Sequence, residues 1–344
     1  MAYEEPKLKT VNMDYNFLPN FVKLALNHGG SIHPLIIPAS ETNGTGLMNP
    51  SILNDNGKII VNLRHVNYTF YHSESKMFQH QWGPLTYIHP EHDMHLRTWN
   101  WYLELDDDFN ISRYTKIDMT KFDTYEPMWD FVGLEDVRLM RWDSKLYISG
   151  VRRDTTTNGQ GRMELSEVVD DGVNVKEVSR FRIPTPVDPN SYCEKNWMPI
   201  LDMPYHYVKW SNPTEVVKVD PVKQTCEQVA VTPFVNAPRD FRGGTQVIKY
   251  GDYWVAAVHE VYLFKSEVGR KDGRYTHRFL VWDKDWNLVR YSRDFAFMDA
   301  HVEFAVGMCY KGDDILITFG FQDNAAYLLR MPKELLGKFI EGTV

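Results

Sequence analysis

The sequence predicts an all-β fold, a five-bladed β-propeller with few short helices, on three observations. An inner hairpin pattern recurs five times: an apolar strand, a short turn rich in Asp, Asn, Gly or Lys, then a second apolar strand ending on polar or charged residues. Four of the five copies are followed by a weaker, more polar hairpin, and two hairpins make the four strands of a propeller blade. The apolar runs are rich in aromatic and β-branched residues and are bounded by turn residues, without helical spacing.

The elements follow in order. Residues 1–45 read as an N-terminal extension with a helix over 16–27, residues 46–332 as the propeller, and residues 333–344 as a tail with a helix over 333–340, within one domain spanning 1–344. The first inner hairpin runs from Ser51 to Arg64 around Asn54-Asp55-Asn56-Gly57-Lys58, and the second from Val137 to Arg152 around Asp143-Ser144-Lys145. The third spans Trp197 to Lys209 around Asp202-Met203-Pro204, and the fourth Thr245 to His259 around Tyr250-Gly251-Asp252. The fifth spans Phe304 to Asp323 around Lys311-Gly312-Asp313-Asp314. Outer hairpins turn at Asp106-Asp107-Asp108, Asp170-Asp171-Gly172, Asp220-Pro221 and Asp283-Lys284-Asp285, whereas the fifth copy is followed by Tyr327 to Met331, Pro332 and the tail.

A chain of 344 residues with 43% hydrophobic and 14% aromatic content can bury a large core. The formal charge of -8 gives no general attraction to phosphate backbones, so a nucleic-acid substrate would need a local basic patch. Three scattered cysteines, Cys193, Cys226 and Cys309, argue against a disulfide framework. The opening Met1-Ala2-Tyr3-Glu4-Glu5 has neither the basic nor the apolar region of a signal peptide, and no stretch approaches membrane-spanning length. A reducing cytoplasm and no membrane partner are the expectation.

Polar clusters stand just before or just after the inner hairpins. They are Asn49-Pro50 with Arg64-His65, Gly133-Leu134-Glu135-Asp136-Val137-Arg138, Glu194-Lys195-Asn196-Trp197, Arg242-Gly243-Gly244-Thr245, His259-Glu260, and Glu303 with Asp323. Strands converging on one axis would gather these residues. Arginine forks and lysine charges suit a phosphate, and a carboxylate suits proton transfer at a sugar oxygen. Glu135 and Asp136 are adjacent, so in a regular strand only one of them faces the axis. The segment His89-Pro90-Glu91-His92-Asp93-Met94-His95 gathers histidines and carboxylates, but Pro90 bars a regular helix, and it reads as a loop rimming the site, not a metal centre.

The succession Asn49-Pro50, Glu135-Asp136-Val137-Arg138, Lys195-Asn196-Trp197, Gly243-Gly244 to His259, and Glu303 to Asp323 resembles the mannoside phosphorylase family. Those are five-bladed propeller enzymes, to which certain β-mannosyltransferases are also similar, and the resemblance runs over residues 45–330. It implies Asp136 as the catalytic carboxylate and Arg138, Lys195 and His259, with Arg64, as the lining of an anion site. Val137 stands where the family has Pro, and His259-Glu260 where phosphorylases have His-Gly. The phrases Glu194-Lys195-Asn196-Trp197-Met198-Pro199, Arg242-Gly243-Gly244-Thr245-Gln246 and His277-Arg278-Phe279 resemble more closely a propeller module found with bacterial and viral glycosyltransferases.

The function this implies is that of an inverting glycosyltransferase moving a sugar from an activated phosphate donor, a nucleotide sugar, to a hydroxyl acceptor. Asp136 is then the general base, Arg64, Arg138, Lys195, His259 and Arg242 hold the donor phosphate, and Asn49, Glu135, Asn196, Glu303 and Asp323 meet sugar hydroxyls. The alternatives are a mannoside-type phosphorylase, in which inorganic phosphate attacks and Asp136 is the general acid, and a non-catalytic carbohydrate-binding propeller. The acceptor is a glycan, a small molecule, a protein or a modified nucleobase; no cofactor and no metal are expected. Tyr68, Trp99, Trp101 and Tyr192 are either stacking surfaces or blade core.

Overall fold

Two-residue turns set up the first two inner hairpins. Asp55 pairs with Lys58 and Trp142 with Lys145, leaving Asn56-Gly57 and Asp143-Ser144 as connections in which every residue has positive φ. Such turns match the right-handed twist of the strands they join, which is why Asn, Asp and Gly crowd these positions. The outer hairpins use another device. The Asp106 carboxylate accepts from the amides of Asp108 and Asn110, Asp220 from Val222 and Lys223, and Asp283 from Asp285 and Asn287. A carboxylate folding the chain over itself accounts for the aspartate-led turns.

The computed structural model describes residues 18–68, 95–236, 241–265 and 271–344, together with the backbone of strands Phe78–His80 and Gly83–Leu85. Blade 1 holds Leu47–Asp55, Lys58–Val66, Leu96–Leu105 and Ile111–Asp118, and blade 2 holds Glu135–Trp142, Lys145–Arg152, Arg162–Asp170 and Val175–Arg182. Blade 3 holds Met198–Pro199, His206–Ser211, Thr214–Asp220 and Thr225–Val231, and blade 4 holds Ile248–Tyr250, Tyr253–Lys265, Lys271–Trp282 and Leu288–Tyr291. Neighbouring strands within each blade are antiparallel, and blades 1 and 2 join at their outer edges where Ile117 and Asp118 pair in parallel with Val175 and Lys176.

Blade 5 takes Glu303–Lys311, Asp314–Phe321 and Ala325–Pro332 from the end of the chain, and its outermost strand, Ser31–Pro34, from the beginning. Ser31 lies opposite Arg330 and Pro34 opposite Tyr327, so the first residues of the fold close the ring against the last. The sequence reading left this strand within the extension, because four residues ending in proline carry too little alternation to register.

Helix α1 (Phe21–Asn27) starts later than the sequence reading places it, because Asn20 caps it, its Oδ1 accepting from the Lys23 amide at 2.8 Å. A single-turn helix, α2 (Ala39–Thr42), precedes blade 1, and α3 (Lys333–Glu341) ends the fold. Phe21 of α1 packs on Phe279, Phe295, Phe297 and Phe339, the last from α3, so both helices seal one core between blades 4 and 5.

The innermost strands pack on one another around the axis. At its centre sits Gln246, fully buried, whose Nε2 donates to Ser51 Oγ (3.0 Å), Ile52 O (2.8 Å) and Leu139 O (3.0 Å), while its Oε1 accepts from the Met308 amide (2.8 Å). One amide thereby ties blades 1, 2, 4 and 5 and fills the axis just below the end where the inner strands begin. That end is the mouth toward which the polar clusters project.

Candidate functional site

Asn49, Asp136 and Asn196 open the inner strands of blades 1, 2 and 3 in the left-handed conformation, with φ of 48°, 49° and 59°. Asn and Asp tolerate this region better than other side chains. In blades 1 and 2 the register slips at these residues: Met48 opposes Arg64 while Ser51 opposes Asn62, and Glu135 opposes Val151 while Arg138 opposes Ser149. The bulge turns Glu135 and Asp136 toward the same partner, so the expectation that adjacent residues face opposite ways is corrected here. Alternation holds only where the strand is regular.

That shared partner is Arg64. Its Nη1 donates to Asp136 Oδ1 at 2.8 Å and its Nη2 to Glu135 Oε2 at 3.2 Å, while the Thr98 hydroxyl and Tyr68 OH hold the rest of the fork. Burial alone would lower the Arg64 pKa, but Tyr68, Asp136, Glu135 and Asp323 around it hold it above the ordinary value. Asp136 Oδ1 also accepts from Asn49 Nδ2 at 2.8 Å, and a side chain at Gly320 would collide with the Asn49 carboxamide. Burial pushes the Asp136 pKa up, but Arg64, Arg138, the Asn49 hydrogen bond and Lys195 outweigh it and bring it down to about 2. The carboxylate is therefore ionised at neutral pH. Its Oδ2 takes no hydrogen bond among the described residues, and the side chain keeps 16% of its surface open at the mouth.

Other predicted site residues are engaged inside the wall. Arg138 is buried, with Nε and Nη2 on the Gly244 carbonyl (3.0 and 2.8 Å) and Nη1 on the Asp136 carbonyl (2.6 Å) and, at 3.5 Å, on Asn196 Oδ1. Burial lowers its pKa to about 10, with Asp136 opposing the fall. Asn196 is held close by Gly243, where a side chain would strike the Asn196 carbonyl. Glu303 has no exposed surface and accepts from the amides of Phe297, Met298 and Ala300 at 2.6, 2.7 and 3.0 Å, so it folds the 297–300 loop and is not brought to the mouth.

Lys195 and Arg242 differ. Both side chains are exposed, and neither makes a hydrogen bond or ion pair through its side chain among the described residues. Both charges bear on His259, which stacks on Tyr275 with centroids 5.5 Å apart and meets the edge of Phe304 at 4.7 Å. Burial, then His277, Lys195 and Arg242, drive the His259 pKa well below the usual value, so it is a neutral imidazole. It offers a hydrogen bond but no charge. Asp323, left-handed at φ 49°, acts electrostatically on Arg64, Tyr68 and Tyr275 and so belongs to the same mouth.

Sequence reasoning missed Thr98, Arg153 and Tyr275. Arg153 places Nε 3.9 Å from Glu135 Oε1 and donates to the Gly159 carbonyl and the Cys193 sulfur. Tyr275 was legible in principle, since it stands two residues before His277, the cross-strand partner of His259. Of the four aromatics weighed, Tyr68 reaches Arg64, Trp101 is core, Trp99 lies beneath the Lys116 ammonium, and Tyr192 hydrogen-bonds the Asn158 carbonyl. The departure Glu260 is paired with Arg278, whose Nε donates to its buried carboxylate at 2.8 Å, so the departure and one residue of the module-like phrases form an internal ion pair. Residues 89–94 of the histidine-rich segment lie outside the described residues. Among the described residues no group of three or more His, Cys, Asp or Glu is placed to hold a metal ion, and no helix is long and apolar enough to cross a membrane.

The ring of five blades is a fold shared with mannoside phosphorylases, glycoside hydrolases and a mannosyltransferase. No protein-family model and no curated protein sequence matches the chain. Among solved structures it is similar to a β-1,2-mannobiose phosphorylase of Listeria innocua, 12% identical over 90% of this chain and 97% of that one, with a TM-score of 0.53. A mannose phosphorylase of Leishmania mexicana is 11% identical over 91% and 92%, with a TM-score of 0.50. A GDP-Man-dependent mannosyltransferase of the same organism is 12% identical over 88% and 90%, with a TM-score of 0.52. At these identities the likeness establishes the five-bladed propeller, the fold of the family that the motifs resemble.

Proposed function

We propose that the chain is a carbohydrate-active enzyme, an inverting glycosyltransferase moving a sugar from a nucleotide-sugar donor to a hydroxyl acceptor, with Asp136 as general base. The observation that carries this reading is the state of Asp136: ionised, anchored through Oδ1 by Arg64 and Asn49, and open at Oδ2. The acceptor oxygen attacks the anomeric carbon opposite the phosphate and gives its proton to Oδ2. The bond from the anomeric carbon to the phosphate oxygen breaks, and its electron pair leaves on the phosphate. Lys195 and Arg242 stabilise that charge, and neutral His259 donates a hydrogen bond. A donor phosphate beside Lys195 offsets a charge that now depresses Asp136, so binding raises the basicity of the carboxylate.

Arg64 and Arg138 position the carboxylate more than they meet the donor, and Asn49, Glu135, Asn196 and Asp323 are the polar groups nearest the sugar. The phosphorylase reading is supported by the phosphorylases that share this fold, and it uses the same groups in reverse. It requires a protonated Asp136, which a pKa of about 2 opposes in the free protein. The GDP-Man-dependent transferase of the same fold supports a nucleotide sugar bound without a doubly wound domain.

A thermal-shift screen against nucleotide sugars, sugar 1-phosphates and inorganic phosphate tests the choice. A rise with one nucleotide sugar that vanishes in Lys195→Ala supports the transferase. A rise with phosphate and a sugar 1-phosphate alone turns the reading to the phosphorylase, and no rise with any of them turns it to a binding propeller.

A further inference from the structure

Blade 4 is built differently from the others at the mouth. Its central strands, Tyr253–Lys265 and Lys271–Trp282, stay paired from Trp254 opposite Trp282 through to Lys265 opposite Lys271, well past His259 opposite His277. In blade 1 the second strand ends at Val66, in blade 2 at Arg152 and in blade 3 at Ser211, within a few residues of their mouth positions. The overrun projects beyond the site.

Alternation sorts its side chains. His259, Val261 and Leu263 share a face with their cross-strand partners His277, Tyr275 and Gly273. The packing agrees: Tyr275 stacks on His259, and a Cβ at Gly273 would touch the Leu263 and Val261 side chains. Gly273 is buried, so with no side chain opposite it Leu263 can lie down against the strand, and Val261, Leu263 and the Tyr275 ring form one apolar surface, each partly exposed. The hairpin is docked in place, since the Tyr275 amide donates to the His301 carbonyl at 2.8 Å and Phe264 meets the His301 ring. The surface adjoins the exposed Arg242, whose backbone pairs with that of His259 in both directions at 2.9 and 3.0 Å and whose charge acts on both His259 and Tyr275.

We infer that this platform takes the nucleobase of a nucleoside diphosphate whose phosphates meet Lys195 and Arg242. The inference rests on the transferase reading and specifies its donor. Inorganic phosphate has nothing to lay on an apolar face beyond the cations, whereas a nucleoside diphosphate carries a flat ring a short ribose away from its charge. Stacking on an aromatic ring and contact with aliphatic side chains would hold the base with little demand on its identity.

Isothermal titration of nucleoside diphosphates and of inorganic pyrophosphate separates the two contacts. The wild type is expected to bind a nucleoside diphosphate at least about tenfold more tightly than pyrophosphate, a gap that stacking alone can supply. Leu263→Asp is expected to erase the gap while leaving pyrophosphate affinity in place, and Lys195→Ala to weaken both ligands. Leu263→Asp changes a partly exposed side chain, so its fold is checked by an unchanged melting point. Equal affinity of the wild type for both ligands, or a gap that survives Leu263→Asp in a folded protein, overturns the platform. Transfer from a nucleotide sugar that persists unchanged in Leu263→Asp refutes the platform alone, whereas no transfer from any nucleotide sugar in the wild type refutes the reading beneath it.

Discussion

The mouth has two sides with opposite electrostatic states. On the side of blades 1 and 2, Arg64 and Arg138 are buried and their donors are held by Asp136, Glu135, Thr98 and backbone carbonyls. On the side of blades 3 and 4, Lys195 and Arg242 are exposed and hold nothing among the described residues. Four cations that look alike in sequence therefore differ in state: two are buried against the Asp136 carboxylate and its backbone, and two stand exposed. Burial with partners makes an arginine part of the frame, because removing it strands a charge in the interior.

The contrast is broken most severely at Asp136. Asp136→Asn keeps the hydrogen bonds to the wall but cannot take a proton, and turnover in a sugar-transfer assay should fall about 100- to 10,000-fold with ligand binding retained. Next comes Arg64→Met, which leaves Asp136 and Glu135 without their shared partner. Urea unfolding should show a loss of about 3–5 kcal/mol, the cost of breaking a buried pair from one side. Gln246→Leu tests the frame away from the charges: the Ser51, Ile52 and Leu139 acceptors and the Met308 amide lose their partner, at about 1–3 kcal/mol for each group left unpaired, read from the same denaturation curves.

Lys195→Ala sharpens the comparison from the other side. Its unfolding midpoint should match the wild type while affinity for a phosphate-bearing ligand falls about tenfold or more by calorimetry, since a charge-assisted hydrogen bond is lost. A separate effect is on pH. His65 is lowered to about 4 and His277 to about 3, chiefly by burial, so the folded protein keeps them neutral while unfolded histidine begins to protonate near 6.5. The unfolded state then binds more protons, and stability should fall as pH drops from 6.5 toward 3, by about 1.4 kcal/mol per pH unit for each histidine held neutral. His277 Nε2 accepts from the Ala305 amide, so His277→Gln, which retains an acceptor without a titrating proton, should flatten the slope of melting temperature against pH.

Repetition made much of the fold legible. Turn residues such as Asn56-Gly57 and Asp106 act within a few positions of themselves, so their pattern marks the hairpins wherever they lie in space. The candidate site was legible as a set of polar clusters at equivalent places, and the chain itself determined that Asn49, Glu135, Asp136, Lys195, Asn196, Arg242, His259 and Asp323 would stand near one mouth. What the chain alone did not disclose was which of them would be engaged. Glu303 looked like Asp136 and folds a loop, Arg138 looked like Arg242 and is buried on a carbonyl, and Ser31–Pro34 looked like an extension and closes the ring. Each of those outcomes depends on partners far away in sequence, such as Gly244 for Arg138 and Arg330 for Ser31, and on the bulge that swings Asp136 beside Glu135. Local propensity writes strands and turns, whereas burial and pairing of a charge are properties of the assembled blades, because only there does the low-dielectric interior exist that makes one arginine structural and leaves another exposed.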